Sequence, residues 1–131
     1  MAAGMERWYI PSVEASGQRE PRVLFSAPEC RAVILELKEG DQLGDHSVRE
    51  RAVLEVVSGE VTVSAGGEEA ACAQGTLVTF APGERHAVRA TGGSARLLML
   101  LAPWPGQGHY PAGSDADAAH RPSRASVDPI S

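Results

Sequence analysis

Two histidines and one carboxylate carry most of the chemistry this chain offers. His46 stands in "GDHSVRERA" and His86 in "PGERHAVRA". An imidazole nitrogen can ligate a divalent metal, hydrogen-bond a ligand or move a proton near neutral pH. Glu50 follows His46 by four residues, so on a strand it shares that side. His46, His86 and Glu50 together make a two-histidine, one-carboxylate set with open positions. Such a set suits iron(II), and less distinctively zinc or manganese. Glu50 also stands between Arg49 and Arg51, and a solvated charge on a rim is the expected reading of it. The histidines have a plain reading as well, as inward polar residues bonded to each other or to water.

The other candidates are thinner. Ser47, Ser58 and Thr79 show no His–Asp partnership for a hydrolase triad. Cys72 in "EAACAQG" reads as hairpin packing, and Arg85 and Arg89 read as outward charges. Gly66-Gly67 reads as a hairpin turn and not a phosphate loop, because no helix follows. His109 and His120 fall in a Pro/Gly-rich tail and read as solvated. Trp8 and Trp104 read as packing at the barrel ends.

Strands must hold the histidines. Turn signals recur at Gly59, Gly66-Gly67, Gly75, Pro82-Gly83 and Gly92-Gly93, with short runs of Val, Leu, Thr and Phe between them. Short strands at even spacing predict an all-β sandwich or barrel. In "RAVILELKEG", Val33, Leu35 and Leu37 share one face. In "HSVRERAVLEVV", His46, Val48, Glu50, Ala52, Leu54 and Val56 share another, and that face is the better core face. In "RHAVRA", His86 and Val88 point one way. Both histidines are therefore expected to point inward. "RLLMLL" is apolar on both faces, which suits a strand between two layers or at a subunit contact.

The chain has 131 residues, room for one domain. Hydrophobic residues are 43% and aromatic residues only 5%, so Val, Leu and Ala must build the core. Three zones appear: a lead-in over 1–20, a barrel over 21–104, and a Pro/Gly/Ser-rich tail over 105–131. The tail has too little apolar content to offset the entropy of ordering and is expected to be mostly disordered. The net charge of −5, with scattered arginines, argues against a nucleic-acid partner. No apolar run reaches the length of a membrane span, and the start has no secretory apolar core. Cys30 and Cys72 lack CxxC spacing and fit reduced thiols in the cytoplasm.

On these residues the sequence resembles the cupins. That family has a small antiparallel barrel, or jelly roll, with two motifs, G-x5-H-x-H-x3-E-x6-G and G-x5-P-x-G-x2-H-x3-N. Gly40, His46 and Gly59 fall at the first motif's spacings, and Gly75, Gly83 and His86 at the second's. Proline is one place late, at Pro82, with Ala81 in its slot. The resemblance spans Gly40 to Ala90 and the flanking strands. It implies a metal held by three histidines and a glutamate, but Val48 fills the second histidine position and Ala52 the glutamate position. Ala90 fills the terminal asparagine position. Neither valine nor alanine has a lone pair to offer.

Three readings follow. The first is a barrel that binds a small organic ligand in an interior lined by His46, Val48, Ala52, Leu54 and His86, with weak metal binding or none. The second is a metal-dependent enzyme of dioxygenase or isomerase type, holding iron, manganese, nickel or zinc through His46 and His86 with Glu50 or water. The third is a non-catalytic interaction scaffold. The missing ligands favour the first over the second. Two inward histidines favour both over the third, because burying them without a use costs desolvation. The doubly apolar strand and the resemblance also imply a homodimer.

Overall fold

The computed structural model describes residues 4–15 and 21–103, with the side chains of Asp45 and His46 left aside. The expected disorder of 105–131, and the readings of Trp104, His109 and His120, fall outside the described residues.

Nine strands run through the described residues, and none of these residues is helical. They are β1 (Arg22–Ala27), β2 (Cys30–Leu37), β3 (Gln42–His46), β4 (Arg51–Ser58), β5 (Glu60–Ala65), β6 (Glu68–Ala73), β7 (Leu77–Phe80), β8 (His86–Ala90) and β9 (Ala95–Ala102). They form two sheets, ordered β1-β2-β9-β4-β7 and β3-β8-β5-β6, with every pairing antiparallel. The all-β expectation holds. The β5–β6 hairpin turns on Gly66 and Gly67, at φ +60 and +80. Positive φ at both central residues is the turn that matches strand twist, and glycine adopts it at little cost.

The sequence pattern is corrected in one place. "HSVRERAVLEVV" is not a single strand. It ends one sheet at β3, crosses at residues 47–50 and begins the other sheet at β4. The inward residues keep their parity across the crossing. Val48, Glu50, Ala52, Leu54 and Val56 are all buried, while Arg49, Arg51 and Glu55 are exposed. The crossing is tied to the β7–β8 turn, where the Gly83 N–H donates to the Val48 carbonyl at 2.7 Å.

Register arranges the interior in layers. In the larger sheet, Val33, Met99, Leu54 and Val78 form one cross-strand row, and Leu35, Leu97 and Val56 form the next. In the smaller sheet, Val88 and Val63 form one row, and Ala90 and Val61 another. Most of these side chains are buried in one aliphatic core. The core excludes water as expected from burial of apolar area. β9 is buried at Leu97, Met99 and Leu101 and only half-buried at Leu98 and Leu100.

The lead-in packs on the outside of the larger sheet. Trp8 stacks on Phe25 of β1, with ring centroids 5.8 Å apart, and does not cap the barrel end. Arg96 of β9 holds the lead-in by donating to the Ile10 carbonyl at 2.9 Å and the Val13 carbonyl at 2.5 Å. Its remaining edge pairs with Glu36 at 2.6 and 2.9 Å. Arg22 also donates to the Glu14 carbonyl.

Candidate functional site

One layer differs from the hydrocarbon layers beneath it. In the larger sheet, register lines up Arg31, Leu101, Ala52 and Phe80. In the smaller sheet it lines up His46, His86, Ala65 and Glu68. The two rows meet at one end of the barrel. There the His86 ring lies parallel on the Phe80 ring, with centroids 3.9 Å apart and planes 7° from parallel.

His86 is placed as the alternation predicts, 1% exposed on the inner face of β8. Its Nδ1 lies 3.2 Å from the Glu84 carbonyl. A carbonyl only accepts, so this contact favours the proton on Nδ1 and leaves Nε2 as the acceptor nitrogen. Phe80 covers one face of the imidazole and leaves the ring plane, where the nitrogens bond, to other neighbours. His46 is the register partner of His86. Its side chain lies outside the described residues.

Glu50 is not the solvated rim charge that its arginine neighbours suggest. It is 2% exposed. The crossing at 47–50 turns Arg49 outward and carries Glu50 inward. Among the described residues the buried polar side chains are Arg31, Glu50 and His86. Burial lowers the Arg31 pKa from its ordinary value, since a low-dielectric surrounding disfavours charge. Burying ionisable groups is costly, which makes these three the candidate site residues of the interior.

Val48, Ala52 and Leu54 are at the predicted positions, but they pack into the aliphatic core. They do not line the pocket of about 200 Å³, open to the surface on one side, that other described residues form. That cavity sits between the edges of the two sheets, at the seam of β6 and β7. Phe80, Val78, Val63 and Cys72 form its walls, and Glu68 and Glu84 border it. Phe80 is shared: its ring lies on His86 and also walls the cavity. The Glu84 carboxylate is fixed by accepting the Ala81 N–H at 2.9 Å.

Sequence reading misses Phe80, Glu68 and Glu84. Alternation in "LVTF" puts Val78 and Phe80 on one face, which is a usable signal. The pairing of Ala52 with Phe80 is non-local and has no local signature. Cys72 does pack in the hairpin as expected, buried at 5% exposure, and it also faces the cavity. Both cysteines are free thiols. Burial, then the Glu29 charge, raise the Cys30 pKa, so this thiol keeps its proton at neutral pH. Ser47, Ser58 and Thr79 lie on or between strands with no triad geometry described around them.

No three His, Cys, Asp or Glu side chains among the described residues gather closely enough to hold a metal ion. The set His46, His86 and Glu50 includes one side chain, that of His46, outside the described residues.

Known proteins share this fold. The family model described as "Cupin domain" matches residues 33–101, more than half of the 131-residue chain. A search of curated proteins finds no match. Among solved structures, the TT1209 protein of Thermus thermophilus is similar at TM-score 0.69 and 25% identity, over 76% of this chain and 98% of that one. The cupin domain of Schizosaccharomyces pombe Cnp3 is similar at TM-score 0.68 and 18% identity, over 75% and 74%. SPY1581 of Streptococcus pyogenes, a conserved protein of unknown function, is similar at TM-score 0.60 and 21% identity, over 66% and 75%. The latter two likenesses speak to the fold alone.

Proposed function

This chain belongs to the Cupin domain family, and we propose that it binds a small organic molecule in a pocket at the seam of its two sheets, beside the interior histidine layer, without needing a metal. The observation that carries this reading is the cavity of about 200 Å³ walled by Phe80, with His86 stacked behind it. A concave apolar site with a few placed polar groups is the usual form of a small-molecule site. The volume falls below the range of about 300–1,000 Å³ typical of drug-sized ligands, so the ligand is small. The family's four-ligand metal set does not fit this chain. Val48 and Ala52 stand at two of its positions, and both are buried hydrocarbon in the core.

Glu50 supports a second reading. A buried carboxylate at the same barrel end as two register-paired histidines would suit a divalent metal in a site with open positions. In that reading His46, His86 and Glu50 hold the ion. It would act as a Lewis acid or bind oxygen when present, and the protein would be an enzyme. The experiment is elemental mass spectrometry on tag-free protein purified without chelator, joined to a thermal-shift screen of small organic molecules. The ligand reading expects stabilising compounds that work equally in chelator. About one metal per chain, lost in His46→Ala and in His86→Ala, would establish the second reading instead.

We also propose that two copies pair through the outer face of the larger sheet. Leu98 and Leu100 are half-buried there and Leu77 is 63% exposed. On the same face Val53 lies between exposed Arg51 and Glu55, so a twofold axis at Val53 would set each arginine against the partner's glutamate. Sedimentation equilibrium should give a dimer, and Leu98→Glu with Leu100→Glu should give a monomer. A wild-type monomer at high concentration would refute the pairing. The free thiols Cys30 and Cys72 support a reducing compartment such as the cytoplasm.

A further inference from the structure

We propose that the cavity at the β6–β7 seam selects a small organic cation, an ammonium or amidinium carried on a short apolar body. The proposal rests on the reading that this cavity is the ligand site, and adds the ligand's charge. Two features of the lining carry it. The inner wall is hydrocarbon and aromatic, from Val63, Val78 and Phe80, with the Cys72 thiol at one side. That wall takes an apolar body.

The border is acidic. Glu68 and Glu84 both line the cavity, and among its described lining residues there is no lysine, arginine or histidine. Glu84 is half-buried and oriented in advance: Oε1 accepts the Ala81 N–H at 2.9 Å. Its Oε2 lies beside the Gly66 turn, 3.8 Å from where a Cβ on that glycine would sit. Glu68 begins the strand that leaves the same turn. Two carboxylates bordering one small pocket disfavour an anion there and favour a cation. The net charge of −5 adds attraction at longer range.

The test uses three probes with one body and three charges: benzylammonium, benzyl alcohol and benzoate. Each is titrated into the full chain, and the methyl resonances of Val63, Ala65, Ala70 and Val78, which line the cavity, report binding there. The proposal expects benzylammonium to bind at least about tenfold more tightly than benzyl alcohol, with benzoate silent. Glu68→Gln combined with Glu84→Gln should remove that preference. The Glu84→Gln side chain keeps an amide oxygen for the Ala81 N–H, so the turn survives and unchanged resonances elsewhere verify the fold. Binding of benzyl alcohol or benzoate as tight as that of benzylammonium would overturn the cation class and leave the cavity reading standing. If no probe moves these methyls, the proposal falls together with the cavity reading.

Discussion

The pair that defines the site is Phe80 on His86. Both rings are buried, and they lie parallel 3.9 Å apart. Truncating a buried phenylalanine costs about 3–5 kcal/mol, so Phe80→Ala should destabilise the barrel by that amount in urea unfolding. A double-mutant cycle with His86→Ala should show a coupling of about 0.5–1.5 kcal/mol, the size measured for stacked aromatic pairs. A coupling of zero would mean the rings do not interact. Glu50 gives a second prediction. Glu50 is 2% exposed, and removing a buried polar side chain leaves the groups around it without their partner, at a cost of about 1–3 kcal/mol. Glu50→Ala should therefore be far more destabilising than Glu55→Ala at an exposed position of β4, where about 0.5 kcal/mol or less is expected. Equal effects would place Glu50 in solvent.

At the scale of elements, Arg96 is the fastener between lead-in and barrel. Its guanidinium spans two carbonyls, Ile10 and Val13, and the Glu36 carboxylate. A planar fork with five donors does this and an ammonium does not. Arg96→Lys should therefore fail almost as fully as Arg96→Ala. Hydrogen exchange should show residues 4–15 losing protection in both variants while β4 and β9 keep theirs. Retained protection in the lysine variant would mean that charge, and not the fork, holds the lead-in. Much of the strand layout was legible beforehand because it is local. Alternation placed Val33, Leu35, Leu37, His86 and Val88 on their correct faces, and the paired glycines marked the β5–β6 turn. The break after His46 was not legible, since Val48 and Glu50 keep inward parity while the backbone changes sheets. Nor was the cavity. It forms where β6 and β7, edge strands of different sheets, come together, and no short stretch of sequence encodes that meeting.

For the whole molecule, the barrel is graded along its length. Hydrocarbon layers fill the middle, and the polar residues of the interior gather at the end where β3 crosses to β4 and β7 returns to β8. In the proposed reading the fold supplies rigidity, and the polar layer among the described residues supplies recognition. Val48 and Ala52 stand at two of the family's ligand positions, and Phe80, across the ladder from Ala52, lies on His86. All three residues are apolar, which suits the metal-free reading proposed above. The most direct measurement is the melting temperature of the full chain with a stabilising compound from the screen, in excess chelator, for wild type and for Ala65→Leu, which fills the cavity from β5. At ten times its Kd the compound should add about 1.4 kcal/mol, a shift of several degrees for a domain of this size. Metal-free binding in the cavity predicts that shift in chelated wild type and its loss in Ala65→Leu. A shift that vanishes in chelator, returns with added divalent metal and survives Ala65→Leu would contradict it.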